Sequence, residues 1–267
     1  MSDQIRLLVR ADDAGSSWAS NMGCLRACTD GIARSVEVMM PGAWVPHAAR
    51  LFNPRPEIDV GIHLTLTSEW DAVKWRPLTP ARSLVDEAGC FLPLLSPRDG
   101  DARPALAQRD WALDDIAAEF EAQVALGVAT FANVSHVSAH MVRHFADFDP
   151  RVGDVVRDLC ARFGLMDDPF GHGLPRIAGY PPHPRAASAR VPSFVRQLGE
   201  LAPGTYIFID HPAVDCAALA DVGHVGDEDA RADRASRLDT STPADLRAAV
   251  EARGIALTGY GDQLGAA

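Results

Sequence analysis

Apolar and polar positions along this chain fall into blocks that switch between two periods. Largely apolar runs of strand length recur at residues 5–9, 35–40, 58–66, 131–137, 205–209 and 255–258. Runs without alternation suit strands buried on both faces, as in a parallel sheet covered by helices. Between them, helical spacing appears at 17–30, 44–51, 110–127, 150–163, 194–201 and 243–253. In the clearest, 110–127, Leu113, Ile116, Ala117, Phe120 and Val124 make one stripe, with Asp114, Asp115, Glu119 and Glu121 mostly off it. The punctuation agrees: Ser17 sits at a helix N-cap, Pro150 opens a helix, and Gly31, Gly164 and Gly254 follow helix ends. Strand and helix alternate about seven times, which predicts an α/β fold with about seven parallel strands in a single domain over 1–267. Either a closed or distorted (β/α) barrel or an open doubly wound sheet satisfies this pattern. Two Pro-rich passages, 67–109 and 166–192, lose the periodicity, the second holding a short strand near Ile177. Irregular passages of that length inside a compact domain are usually functional, and these two are expected to wall a cleft.

Composition narrows the function. The 267 residues, 47% hydrophobic and 23% charged, suit one barrel-sized globular domain. A net charge of -11 argues against nucleic acid and against an anionic membrane face, and no run approaches a membrane span. The start of the chain has no apolar run of signal-peptide length, and five scattered cysteines read as reduced thiols; both point to the cytoplasm. No GxGxxG follows the first strand, so dinucleotide binding gets no support.

Candidate chemistry gathers where strands end. Asp12-Asp13, His63, His140 and His211 each close an apolar run. In a parallel barrel all strand ends share one face, so residues far apart in sequence converge there. Singly, each has a bland account: an Asp capping the next helix, a hydrogen-bonded core histidine, a turn histidine before Pro212. Together, one carboxylate and two neutral imidazoles make a three-ligand catalytic site with a position left for water. His136-x-x-x-His140-x-x-x-His144 has helical ligand spacing, but Val134 and Val137 place its first part in a strand, so the three need not share a face.

Four strings carry a family resemblance. Ala11-Asp12-Asp13-x-Gly15, Val60-Gly61-Ile62-His63-Leu64-Thr65-Leu66-Thr67, His136-x-x-x-His140 and His211-Pro212 resemble, in order, the motifs of the YdjC/ChbG-like carbohydrate deacetylases. Glu69-Trp70, Trp75-Arg76-Pro77-Leu78 and Asp229-x-Arg231-x-Asp233 resemble one branch of it. The resemblance implies a distorted (β/α) barrel, one divalent metal (Zn or Mg), and hydrolysis of an N-acetyl group on a sugar. It implies Asp13, His63 and His140 as ligands, Asp12 as catalytic base, and His211 as general acid or substrate contact. The split between the two aspartates stays open. Arg143 and His144 are expected at the cleft, as is Trp75, either as a sugar platform or as an anchor for its loop. A homodimer is left open. Two departures stand out: Ala14 replaces a usual Phe, and Ser138-Ala139 replaces the Asp-Ser that usually precedes the ligand histidine. Loss of that Asp removes a carboxylate of the kind that orients a metal ligand. The alternatives are a sugar-binding or regulatory barrel with a weakened metal site, or a hydrolase of another amide or ester. A glycosidase ranks last, because adjacent carboxylates are poorly spaced to flank a sugar bond.

Overall fold

The computed structural model describes residues 4–181, 186–223 and 230–264. Its elements, in order, are β1 (Ile5–Ala14), α1 (Trp18–Thr29), β2 (Ser35–Val38), α2 (Val45–Phe52), β3 (Asp59–Leu64) and α3 (Leu113–Thr130). There follow β4 (Val134–Ala139), α4 (Pro150–Phe163), β5 (Met166–Asp167), α5 (Ala187–Glu200) and β6 (Gly204–Asp210). The chain closes with α6 (Ala230–Ser241), α7 (Ala244–Ala252), β7 (Ala256–Thr258) and α8 (Gly261–Leu264). Predicted caps are in place. Ser17 Oγ accepts the Ser20 backbone N–H at 3.0 Å, Asp149 caps α4 ahead of Pro150, and Gly164 ends it at φ 67°.

The strands form one parallel sheet ordered β5-β4-β3-β2-β1-β6. β6 lies along β1 from Ile5 to Ala11. The opposite edge of β1 is shared: β7 pairs with Arg6–Leu8, and β2 takes over from Arg10. Beyond β5 the chain returns to the free edge of β6, where Ile177 N donates to Ile207 O at 2.9 Å. The sheet is thereby curled into a distorted (β/α) barrel of about seven strands, in one α/β domain.

The two faces of the sheet differ. Leu7, Val9, Val36, Val38, Val60, Ile62 and Val137 join the main hydrophobic core under the helices. The concave face holds a small apolar cluster of Leu8, Ile207, Ile209 and Tyr260, and above it a fully buried polar network. Arg10 donates to both Asp12 oxygens, at 2.8 and 2.9 Å, and to Asp168 at 2.5 Å. Tyr260 also donates to Asp168, and its ring stacks on His136 at 3.4 Å between centroids. Every buried charge here has an opposite charge or a donor, which is the condition for keeping charge in an interior.

Several elements depart from the sequence reading. α5 begins at Ala187 and carries Pro192 inside it, rather than starting at 194. α6 was not foreseen. The segment 67–109 is irregular but packed: Leu84, Phe91, Leu92 and Leu106 are buried. Glu119, predicted off the α3 stripe, is buried and accepts from Leu78 N, Thr79 N and Thr79 Oγ, tying that segment to α3.

Candidate metal centre

Two consecutive aspartates on a strand should point to opposite faces. They do not here, because β1 bulges: three steps from Ala11 to Ala14 oppose two steps of β2. Asp13 has φ 71° and Gly15 φ 86°, so the strand turns over and both carboxylates reach the strand-end face. At Gly15 a Cβ would lie 2.8 Å from Met39 O, so the turn also needs its glycine for space. Met141, just after His140, is the other non-glycine residue with positive φ among the described residues. Strain of this kind clusters at functional sites.

At that face Asp13, His63 and His140 are all buried, with one potential ligand atom from each lying within 4.8 Å of the others. His63 Nε2 is 3.9 Å and His140 Nδ1 3.4 Å from Asp13 Oδ1. That oxygen is buried and accepts no hydrogen bond, although an orphaned buried carboxylate oxygen is costly. A bare oxygen facing two imidazole nitrogens is the donor set a divalent cation satisfies, and the residues fit one.

The other side of each ligand is pinned. His140 Nε2 is 3.1 Å from Glu69 Oε2, and His63 Nδ1 is 2.8 Å from Ser138 Oγ. Asp13 Oδ2 faces Arg234 Nη1 at 3.4 Å, and that guanidinium lies over the Trp70 ring. Burial disfavours the Asp13 charge, but His211, His140 and Arg234 outweigh it and hold the carboxyl well below the usual range. Burial, with His140 and Arg10 nearby, pushes His63 well down, so it is neutral. Burial also opposes charge on His140, yet Glu69 and Asp13 raise it to about 10. Without a cation, His140 is therefore an imidazolium between two carboxylates.

Asp12 stands beside this cluster, with Oδ2 3.7 Å from His63 Nε2. Burial raises its carboxyl to about 7, against the opposing pull of Arg10. Asp12 and His63 open onto a cavity of about 260 Å³, whose wall includes Arg143, Phe170, Arg176 and His211. His211 is pushed down to about 4, chiefly by burial. Beneath it, the Asp210 carboxylate accepts from Tyr180 Oη at 2.5 Å and Arg237 at 2.7 Å.

Two expected cleft residues lie elsewhere. Trp75 is buried edge-on to Trp70 and donates its indole N–H to Thr67 O at 2.6 Å, so it anchors its loop and offers no open face. His144 lines a separate cavity of about 430 Å³ and is 3.3 Å from Asp167, which also holds His172 at 2.9 Å. His144 Nδ1 accepts the Ala146 N–H, so the ring's proton sits on Nε2 and faces Asp167. The cleft wall comes from 166–192 through Phe170 and Arg176, and from 67–109 comes Glu69 behind His140. Asp229 of the tail motif lies outside the described residues. Arg10, Glu37 and Arg234 were not singled out from sequence, and Glu69 entered only as part of the Glu69-Trp70 string, with no role given to it. For Glu37 the signal was present: a lone charge inside Val36-Glu37-Val38.

Known proteins resemble this chain in sequence and in fold. The model of the YdjC-like protein family matches residues 6–252. The carbohydrate deacetylase of Geobacillus stearothermophilus is 32% identical over 220 residues, covering 80% of this chain and 81% of its own. That of Thermus thermophilus is 30% identical over 234 residues, covering 78% and 77%. A solved structure from Enterococcus faecalis, of a protein named for a proposed role in cellobiose-phosphate cleavage, superposes with a TM-score of 0.74 at 18% identity. It covers 97% of this chain and 99% of its own, and shows a shared fold. With its barrel, its motif order and a family match over nearly its whole length, the chain belongs to the YdjC-like protein family.

Proposed function

We propose that this protein is a carbohydrate deacetylase that hydrolyses an N-acetyl group on a mono- or oligosaccharide, using one divalent cation held by Asp13, His63 and His140. The observation that carries the reading is the unsatisfied Asp13 Oδ1 facing two imidazole nitrogens beside a second, differently tuned carboxylate. Relatives named carbohydrate deacetylase support the substrate class. Two imidazoles and a carboxylate favour zinc or another transition ion over magnesium. When bound, the cation supplies a polarised carbonyl and a more acidic water.

The chain's own residues supply the rest. Asp12, buried beside the ligand cluster, is placed to take the proton of an attacking water, and Arg10 fixes its orientation through two hydrogen bonds. Once protonated, Asp12 is the acid that returns the proton to the leaving amine nitrogen. His211, neutral at pH 7, acts as a hydrogen-bonding contact to substrate rather than as a proton source. Arg143 and Arg176 border the same cavity and position the sugar. No described helix is long and apolar enough to cross a membrane. All five cysteines are free, in keeping with a cytoplasmic site of action. The test is acetate release from N-acetylated chito-oligosaccharides. Turnover that stops with a chelator and returns with added zinc or cobalt supports the reading, whereas saccharide binding without turnover at any cation contradicts it.

A further inference from the structure

A histidine that ligates through Nε2 must carry its proton on Nδ1, and the group that receives this proton fixes the ring's tautomer and orientation. For His140 the equivalent partner is the carboxylate of Glu69. For His63 it is Ser138, a hydroxyl that can either donate or accept. What lies behind Ser138 settles which. Its Oγ is in hydrogen-bond contact with Glu37 Oε2, and an ionised carboxylate only accepts. The single Ser138 proton therefore points to Glu37, leaving a lone pair on Oγ for His63 Nδ1–H and a bare Nε2 toward Asp13.

Strand register builds this chain of contacts. Glu37 on β2 pairs with Gly61 on β3, and His63, two residues on, pairs with Ser138 on β4. All of these side chains lie on the concave face. Gly61 leaves the space: a Cβ there would sit 2.1 Å from Glu37 Oε2 and 2.3 Å from His136 Nε2. The far carboxylate oxygen, Oε1, is held by Ser35 Oγ at 3.0 Å and His136 Nε2 at 2.8 Å, so Oε2 is the oxygen aimed at Ser138.

We propose that Glu37 is a positioning residue for the metal centre, acting through Ser138 to hold His63 in its ligating tautomer. The chain thereby keeps a carboxylate behind this ligand, although the residue two before His140 is Ser138 rather than an acid. The inference rests on the cation site proposed above and adds a residue to it that touches neither cation nor substrate.

Titration of the cation-free full-length protein with Zn²⁺ or Co²⁺, read by calorimetry against a competing chelator, tests it. Ser138→Ala and Glu37→Gln are each expected to weaken binding about 10–100-fold. Combining Glu37→Gln with Ser138→Ala is expected to weaken it little further, because both act on one chain of contacts. The double variant Glu37→Gln/Ser138→Asp moves the acid one side chain closer to His63 and is expected to bind within about threefold of the parent. A residue of purely structural importance gives no such rescue. Ser138→Ala alone is informative if Glu37→Gln fails to fold. Parent-like affinity in Ser138→Ala, or no recovery in the double variant, overturns the inference while leaving the site intact. A parent protein that takes up neither ion overturns the site, and this inference with it.

Discussion

Loading a divalent cation into the cation-free protein must displace a proton from His140. In the empty site its Nδ1 faces Asp13 Oδ1 at 3.4 Å and its Nε2 faces Glu69 Oε2 at 3.1 Å. Burial opposes the imidazolium, but the two carboxylates win and the group titrates at about 10. At pH 8 it is almost fully protonated, and stripping it there costs about 3 kcal/mol. The other groups contribute little at that pH: His63 is already neutral, Asp13 is ionised, and Asp12, at about 7, is mostly ionised. Calorimetric titration with Zn²⁺ at pH 8 in two buffers of different ionisation enthalpy should report about one proton released per cation. Apparent affinity should rise about tenfold between pH 7.5 and 8.5. Glu69→Gln removes the strongest charge that raises His140, and proton release should fall well below one. Release of no proton by the parent, or undiminished release by Glu69→Gln, refutes the reasoning. The fold shows the same linkage with a definite sign. A histidine raised from about 6.5 to about 10 contributes its full stabilisation below pH 6.5 and loses it as pH climbs through 10. The cation-free protein should therefore melt at progressively lower temperature across that window.

Three substitutions probe the surroundings. Asp12→Asn should keep the cation and lower acetate release by about 10²–10⁴-fold; loss of the cation in a metal assay instead means that Asp12 and Asp13 have exchanged roles. Arg10→Met leaves Asp12 and Asp168 buried without their shared cation, and should lower stability in urea by about 3–5 kcal/mol. Gly61→Ala forces a methyl against the bonded Glu37–His136 pair, and should shift the urea midpoint down by the equivalent of about 1–3 kcal/mol or more.

Much of the site was legible because strand ends of a parallel sheet meet whatever their separation along the chain. Asp12, Asp13, His63, His140 and His211 each stand at the close of an apolar run; Asp13, His63 and His140 draw together, and Asp12, His63 and His211 line one cavity. The residues behind them were not legible for the same reason. A barrel strand facing polar groups inside and helices outside reads as uniformly buried, so Arg10 and Glu37 looked like interruptions rather than members of a network. α6 escaped because Leu238 is its one large apolar side chain, and a helix without an apolar stripe leaves no period to find. Pro192, the sixth residue of α5, masked its first turns, because a proline inside a helix removes a backbone donor and reads as a helix break. Trp75 shows a different limit. An indole in a Pro-rich passage reads equally as a sugar platform or an anchor, and only the Thr67 carbonyl and the Trp70 ring decide for the anchor.

The central claim is that one cation sits among three side chains delivered by three strands. Metal analysis of the protein equilibrated with zinc and freed of excess measures it directly. The account predicts about one equivalent in the parent and none in Asp13→Ala, His63→Ala or His140→Ala, each with the parent's circular dichroism. Folded variants that retain a full equivalent would contradict it.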